Sequence, residues 1–171
     1  MTLDGYPATV PHTLSSLPEG VDAVRATLRL MVKIARTYRG DVGVIETAQE
    51  ITRGLPSKDY RGEVSMLHRF VRDRVRYVRD PRGVEKVQSP KRTLEMASGD
   101  CDDKATLLAA LLESIGFTTR YVALGFKDGP YSHVILEVRL GTRWLPLETT
   151  VAGAEAGWSP PQPTRRMVAH I

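Results

Sequence analysis

The sequence of 171 residues contains a single cysteine, Cys101. One cysteine cannot form an internal disulfide, and it cannot supply the paired thiolates that structural zinc sites use. The four histidines are scattered and show no metal-ligand spacing. We therefore predict no metal site, a reducing environment, and a thiol that is available for chemistry.

Long apolar runs are missing as well. No stretch of about 18 apolar residues occurs, so no membrane-spanning helix and no membrane partner are expected. The first residues, Met-Thr-Leu-Asp-Gly-Tyr-Pro, have neither the basic nor the apolar region of a secretory signal. These absences predict a cytoplasmic location. A hydrophobic content of 42% and a charged content of 26% are ordinary for a soluble globular protein, and the length fits one domain.

Aromatic residues are few, at 6%, and neither Gly-x-x-x-x-Gly-Lys nor Gly-x-Gly-x-x-Gly is present. No cofactor is therefore predicted, and nucleic acid is the least favoured partner. Positive charge is concentrated from Val21 to Arg92, with 17 Lys or Arg against 9 Asp or Glu, while the remainder has 7 against 11. This basic half is either a solvated surface or a contact for an acidic partner.

Apolar spacing predicts helices first and strands afterwards, an α+β fold. Helical spacing covers 21–38, about 42–53, about 60–78 and 101–115, whereas β-branched and aromatic residues predict strands over 118–124, 131–140 and 143–147. Turn signals at Asp80-Pro81 and Ser89-Pro90 predict an extended or looping segment between the third and fourth helices. We expect an extended arm over 1–20 and an irregular, Pro-rich tail over 156–171.

The cysteine lies in Gly99-Asp100-Cys101-Asp102-Asp103, at the start of the fourth predicted helix. Its spacing to Ala105 and Leu108 places the thiol at the head of the stripe that faces the core. The partial positive charge of a helix N-terminus favours the thiolate, the nucleophilic form of cysteine. Neighbouring Asp102 and Asp103 act in the opposite direction, because negative charge disfavours a second anion.

Two further residues follow the cysteine in an order that suits acyl transfer. His133 lies in the predicted strand 131–140, and Glu148 follows the strand 143–147. Cys, His and carboxylate can act as nucleophile, general base and orienting group. Taken singly, a lone cysteine is more often a buried apolar residue and a strand histidine a structural one. The three together favour catalysis.

The region from about Val87 to Val151 resembles the papain-like fold as the transglutaminase-like superfamily uses it. The resemblance rests on several motifs in the order of the family: Ser89-Pro90, Gly99-Asp100-Cys101-Asp102-Asp103, Ile115-Gly116-Phe117, Ser132-His133-Val134 and Trp144-Leu145-Pro146-Leu147-Glu148-Thr149. With its short helical prefix, the chain also resembles small transglutaminase-like cysteine peptidase proteins of bacteriophages and prophages.

This resemblance implies a catalytic helix packed on a small antiparallel sheet, within one domain over 21–155 that has a helical part (21–79) and a core (87–151). It implies Cys101, His133 and Glu148 as the catalytic residues and Gln88 as a candidate donor to the oxyanion. The family usually places Asp where this chain has Glu148, and it often has an aromatic residue where Val134 and Ile135 follow the histidine.

Three functions are open at this point. The first is cysteine-dependent acyl transfer on an amide or isopeptide bond of a protein or peptide substrate, most simply hydrolysis. The second is a structural or assembly role, for instance in a phage particle, with the arm and the basic helices contacting protein partners. Nucleic-acid binding by the basic helices ranks last.

Overall fold

The computed structural model describes residues 20–80 and 86–171, which form an α+β fold as predicted. The predicted arm, apart from Gly20, lies outside the described residues. The helices are α1 (Val21–Tyr38), α2 (Val42–Thr52), α3 (Tyr60–Arg74), α4 (Pro90–Met96) and α5 (Cys101–Ser114). The strands are β1 (Arg76–Tyr77), β2 (Ser98–Gly99), β3 (Thr119–Gly125), β4 (Tyr131–Leu140), β5 (Arg143–Leu147) and β6 (Arg165–His170).

Four strands form an antiparallel sheet in the order β5-β4-β3-β6. The helix α5 packs on β3 and β4, and α1, α2, α3 and α4 pack around α5 in turn. All ten residues from Asp103 to Leu112 are consequently buried, so α5 is enclosed on every side rather than along one stripe. Its run of Leu and Ala residues suits such a central position.

The N-terminus of α5 is fixed by its own side chains. The Asp100 carboxylate accepts hydrogen bonds from the backbone N–H groups of Asp102 and Asp103, at 3.0 and 3.1 Å. In return, Asp103 accepts from the backbone N–H of Asp100, which completes a capping box. A Cβ on Gly99 would lie 2.5 Å from that of Asp103, so this approach requires glycine. The cysteine that follows therefore has a defined position.

Several elements follow the prediction closely, whereas the end of α3 and the segment before α5 differ from it. The bounds predicted for α1, β4 and β5 are confirmed. The helix α3 ends at Arg74 rather than near Val78, because Arg76–Tyr77 pairs in parallel with Ser98–Gly99. The segment predicted as extended contains α4, in which the Ser89 side chain caps the helix and Pro90 occupies its first turn.

The prediction of an irregular tail is wrong for its last residues. Arg165–His170 forms β6 and pairs with β3 from Arg120 to Gly125. The prolines at 160, 161 and 163 end just before this strand, so they shape the connection and leave the strand free to pair. β6 is an edge strand with alternating exposure, which gives a weak apolar signal.

Within residues 20–80 and 86–171, no helix is both long and apolar enough to span a bilayer.

Candidate active site

Cys101 is the first residue of α5, and its half-buried thiol lines a cavity of about 330 Å³. The same cavity is lined by His133 and its neighbours on β4, by four residues near the start of α1, and by Arg79, Asp80 and Lys86. Its residues are Ala23, Val24, Thr27, Leu28, Tyr77, Arg79, Asp80, Lys86, Asp100, Cys101, Asp102, Ala123, Tyr131, Ser132, His133 and Val134. The structure thus brings the predicted nucleophile and the predicted base to one cavity.

The surroundings of the thiol oppose its ionisation. Burial is the largest cause that raises the pKa of Cys101, followed by the negative charges of Asp102 and Asp100. The thiol itself donates to the Asp102 carboxylate at 3.6 Å. The backbone N–H of Val134 acts in the opposite direction and lowers this pKa. The helix N-terminus therefore does not by itself produce a thiolate here, and ionisation requires a base that takes the proton.

His133 has a partner that fixes the role of each ring nitrogen. Its Nε2 lies 2.5 Å from Oε2 of Glu148, a carboxylate that is fully buried while the imidazole is 17% exposed. A carboxylate can only accept, so Nε2 carries the hydrogen. Nδ1 is then the nitrogen that remains to act as a base toward the cavity. The longer side chain of glutamate thus reaches the histidine.

Glu148 stays ionised although it is buried. Burial raises the pKa of this carboxyl, but the hydrogen bond and charge of His133 and two bonds from Thr150 outweigh burial and lower it. The backbone N–H and the hydroxyl of Thr150 donate to Oε1 at 2.6 and 2.7 Å. The carboxylate of Glu148 is thus held by His133 on one oxygen and by Thr150 on the other.

Asp100 is the second carboxyl group that acts on the thiol. Burial, followed by the charges of Asp102 and Asp103, raises the pKa of Asp100 to about 8. Of the two carboxyl groups that raise the pKa of the thiol, Asp102 has the larger effect and Asp100 the smaller.

With this geometry in view, comparison with known proteins settles the family. A model described as the transglutaminase-like superfamily matches residues 45–149, more than half of the chain. The chain belongs to the transglutaminase-like superfamily. No curated protein sequence matches it significantly.

Solved structures support the superfamily fold. A candidate protease from Parabacteroides distasonis aligns with a TM-score of 0.61 and 14% identity over 78% of this chain and 30% of the other. A candidate cysteine protease from Cytophaga hutchinsonii aligns with a TM-score of 0.54 and 19% identity over 84% of this chain and 45% of the other. This transglutaminase-like chain thus spans less than half the length of either neighbour.

Gln88, the candidate oxyanion donor, makes other contacts in this transglutaminase-like chain. Its side-chain amide donates to Asp103 Oδ2 at 2.7 Å and to the carbonyl of Ser98 at 3.5 Å. Its backbone N–H donates to the other oxygen of Asp103 at 2.7 Å. Gln88 is not among the residues that line the cavity. Its contribution to an oxyanion site stays a prediction.

Sequence reasoning set aside His68, which the structure places directly behind the candidate triad. His68 is fully buried on α3, and its Nε2 lies 2.6 Å from the backbone oxygen of Glu148. Burial is the main cause that lowers its pKa, so the ring is neutral at physiological pH. The available signal was a polar residue within the apolar stripe of Val64, Leu67 and Val71.

A metal site has no support in the part of the chain that the structure describes. Residues 20–80 and 86–171 contain no group of three or more His, Cys, Asp or Glu side chains that could hold an ion.

Proposed function

We propose that this chain catalyses cysteine-dependent acyl transfer on amide or isopeptide bonds, most simply hydrolysis, through Cys101, His133 and Glu148. The observation that carries the proposal is the His133–Glu148 hydrogen bond beside a cavity that Cys101 also lines. Membership of the transglutaminase-like superfamily agrees with this chemistry.

The proposed reaction begins with proton transfer from the Cys101 thiol to His133 Nδ1. The thiolate attacks the carbonyl carbon of the amide, and a tetrahedral intermediate forms whose oxyanion lies near the N-terminus of α5. The intermediate then collapses: the C–N bond breaks, and the imidazolium gives its proton to the leaving amine. Water, activated by the neutral His133, attacks the thioester and releases the acid and the thiol.

Each step depends on charge that the described residues supply. Glu148 stabilises the imidazolium when it forms, since its buried carboxylate has His133 as its charged partner. Burial and Asp102 hold the resting cysteine as a thiol, so the thiolate forms only with concurrent protonation of His133. The nucleophile therefore forms as an ion pair of the Cys101 thiolate and the His133 imidazolium.

Alkylation by iodoacetamide tests the proposal, because Cys101 is the only thiol in the chain. The rate constant is measured from pH 5 to 10 for the wild type, for His133→Ala and for His170→Ala, an exposed histidine on β6 that serves as the matched control. We expect the wild type and His170→Ala to react at neutral pH much faster than His133→Ala. Equal rates for all three proteins would contradict the proposed mechanism.

A second candidate function, a structural or assembly role, has its own supporting observation. An open groove of about 610 Å³ lies between α1 and β6, and it is lined by Arg29, Val32, Lys33, Arg36, Thr37, Ala169 and His170. Three exposed cations on one side of α1 suit an acidic protein partner. A place in a phage particle and a cytoplasmic location remain predictions from the sequence.

The salt dependence of association distinguishes the assembly role from the enzymatic one. If the groove is an assembly surface, association should weaken with salt, because exposed charges are screened over roughly 8 Å at physiological ionic strength. Sedimentation of the full chain at low and high salt measures it. Association without thiol activation would favour the structural role over the enzymatic one.

A further inference from the structure

Packing alone does not explain the buried histidine on α3, because burial of an unsatisfied ring nitrogen costs folding free energy. His68 is fully buried, and only one of its ring nitrogens has a partner. Nε2 donates to the carbonyl of Glu148, whereas Nδ1 is buried without a hydrogen-bond partner among the described residues. An apolar side chain would fill the space without an unsatisfied nitrogen. The one bond that His68 makes therefore points to its role.

The hydrogen bond from His68 holds the main chain at Glu148, which lies beyond the last residue pair of the sheet. The pairing of β5 with β4 ends at Leu147, which lies opposite Leu136, so the main chain at Glu148 is outside the ladder. Thr150 fixes one carboxylate oxygen of Glu148 from the far side. The carbonyl of Glu148 is held at 2.6 Å by His68, from a different element of the fold.

The helix that carries His68 is itself attached to the helix of the nucleophile. Lys104, one turn after Cys101 on α5, is buried, and its ammonium donates to the carbonyls of Arg72 and Val75 at 3.1 and 2.5 Å. These carbonyls lie at the C-terminal end of α3, where helical partners are lacking. Contacts therefore run from α5 through α3 to the backbone of Glu148.

We propose that His68 is a positioning residue, which through its hydrogen bond to the Glu148 carbonyl sets the carboxylate at the distance that His133 needs. His68 touches neither the substrate nor the thiol in this role. The inference rests on the proposed function, since it assigns the support of the same triad. It predicts that the reactivity of Cys101 depends on a hydrogen-bond donor 2.6 Å from the Glu148 carbonyl.

The test compares side chains that keep or remove this donor. His68→Gln keeps an N–H at the end of a side chain of similar reach, whereas His68→Leu and His68→Met fill the space without a donor. Val71→Ala is the control, because Val71 is equally buried on α3 and makes no polar contact with its side chain. Each folded protein, checked by circular dichroism and thermal unfolding, is alkylated with iodoacetamide from pH 5 to 10.

We expect His68→Leu and His68→Met to lower the rate constant at pH 7 by about 10- to 100-fold, as displacement of a catalytic group by about 1 Å does. Their pH profiles should shift from that of the wild type toward that of Glu148→Gln, because His68 acts through Glu148. His68→Gln and Val71→Ala should keep the profile of the wild type. If only the methionine variant folds, it alone decides, because its flexible side chain adapts to the space.

The outcomes separate this proposal from the one on which it rests. A wild type whose alkylation does not depend on His133 would overturn the catalytic proposal, and the positioning role with it. A wild type that depends on His133, together with donor-free variants that react at the wild-type rate, would overturn the positioning role alone. A loss in Val71→Ala as large as that in His68→Leu would also overturn it, because packing would then explain the effect.

Discussion

Replacing Asp102 with asparagine should make Cys101 more reactive at neutral pH. The thiol donates to the Asp102 carboxylate at 3.6 Å, and the charge of Asp102 raises the pKa of Cys101. Two unit charges at this separation repel by about 1 kcal/mol in a solvent-like medium and by about 4 to 5 kcal/mol at an effective dielectric of about 20. Removal of the charge therefore favours the thiolate by at least about fivefold.

The increase in alkylation rate should be smaller than the increase in the thiolate population. A thiolate of lower pKa is also a weaker nucleophile, and this cancels roughly half of the effect on a logarithmic scale. The rate constant for alkylation by iodoacetamide at pH 7 should thus rise between about 2-fold and about 70-fold. The advantage should shrink as the pH rises, because the wild-type thiol then ionises as well.

The assay requires two controls. Asp102 lies in the first turn of α5, where a negative charge stabilises the helix by about 0.3 to 1 kcal/mol, so the fold of Asp102→Asn is checked by thermal unfolding. Glu46→Gln removes an exposed carboxylate on α2, outside the lining of the cavity, and should leave the rate unchanged. A folded Asp102→Asn protein that reacts no faster than the wild type at pH 7 would refute the electrostatic reasoning.

Three further predictions concern the candidate triad and the lysine behind it. Cys101→Ala should abolish hydrolysis of a protein such as casein and leave thermal unfolding nearly unchanged, because only a half-buried sulfur is lost; activity near the wild-type rate would exclude the mechanism. Glu148→Gln should lower the alkylation rate at pH 7 less than His133→Ala does, since the base remains; an equal loss in a folded protein would show this ranking to be wrong. Burial lowers the pKa of Lys104 to about 8. Between about pH 8 and 10.5 the unfolded chain therefore binds more protons than the folded one, so the folded state becomes more stable as the pH rises. Denaturant titrations across this range should show the wild type gaining unfolding free energy relative to Lys104→Met. A difference in unfolding free energy that stays constant there would contradict a lowered pKa in the folded state.

Local signals predicted the elements that build the site. The helix of Cys101 and the strand of His133 have strong periodicity and clear flanking turns, so their positions follow from the sequence. The short helix α4 was missed because Ser89-Pro90 has two interpretations: it ends one segment as a turn, and it also caps and starts a helix. Seven residues are too few for periodicity to decide between them.

The electrostatics of the site could not be predicted in the same way. The sequence shows Cys101 at a helix N-terminus, and this favours a thiolate. The opposing charge of the adjacent Asp102 can be read from the sequence, but the burial of the thiol cannot, and burial is the largest of the causes that raise the pKa of Cys101. The contact between His68 and Glu148 joins residues 80 positions apart, so no local pattern could indicate it.

The opposed charges around the site have a chemical consequence. Proton transfer from Cys101 to His133 creates a cation beside Glu148, which is favourable because that buried carboxylate needs a positive partner. The same transfer creates an anion beside Asp102, which is unfavourable. The balance between these two effects sets the population of the ion pair. Asp102→Asn and Glu148→Gln should therefore shift the reactivity of Cys101 in opposite directions, because each removes one side of this balance.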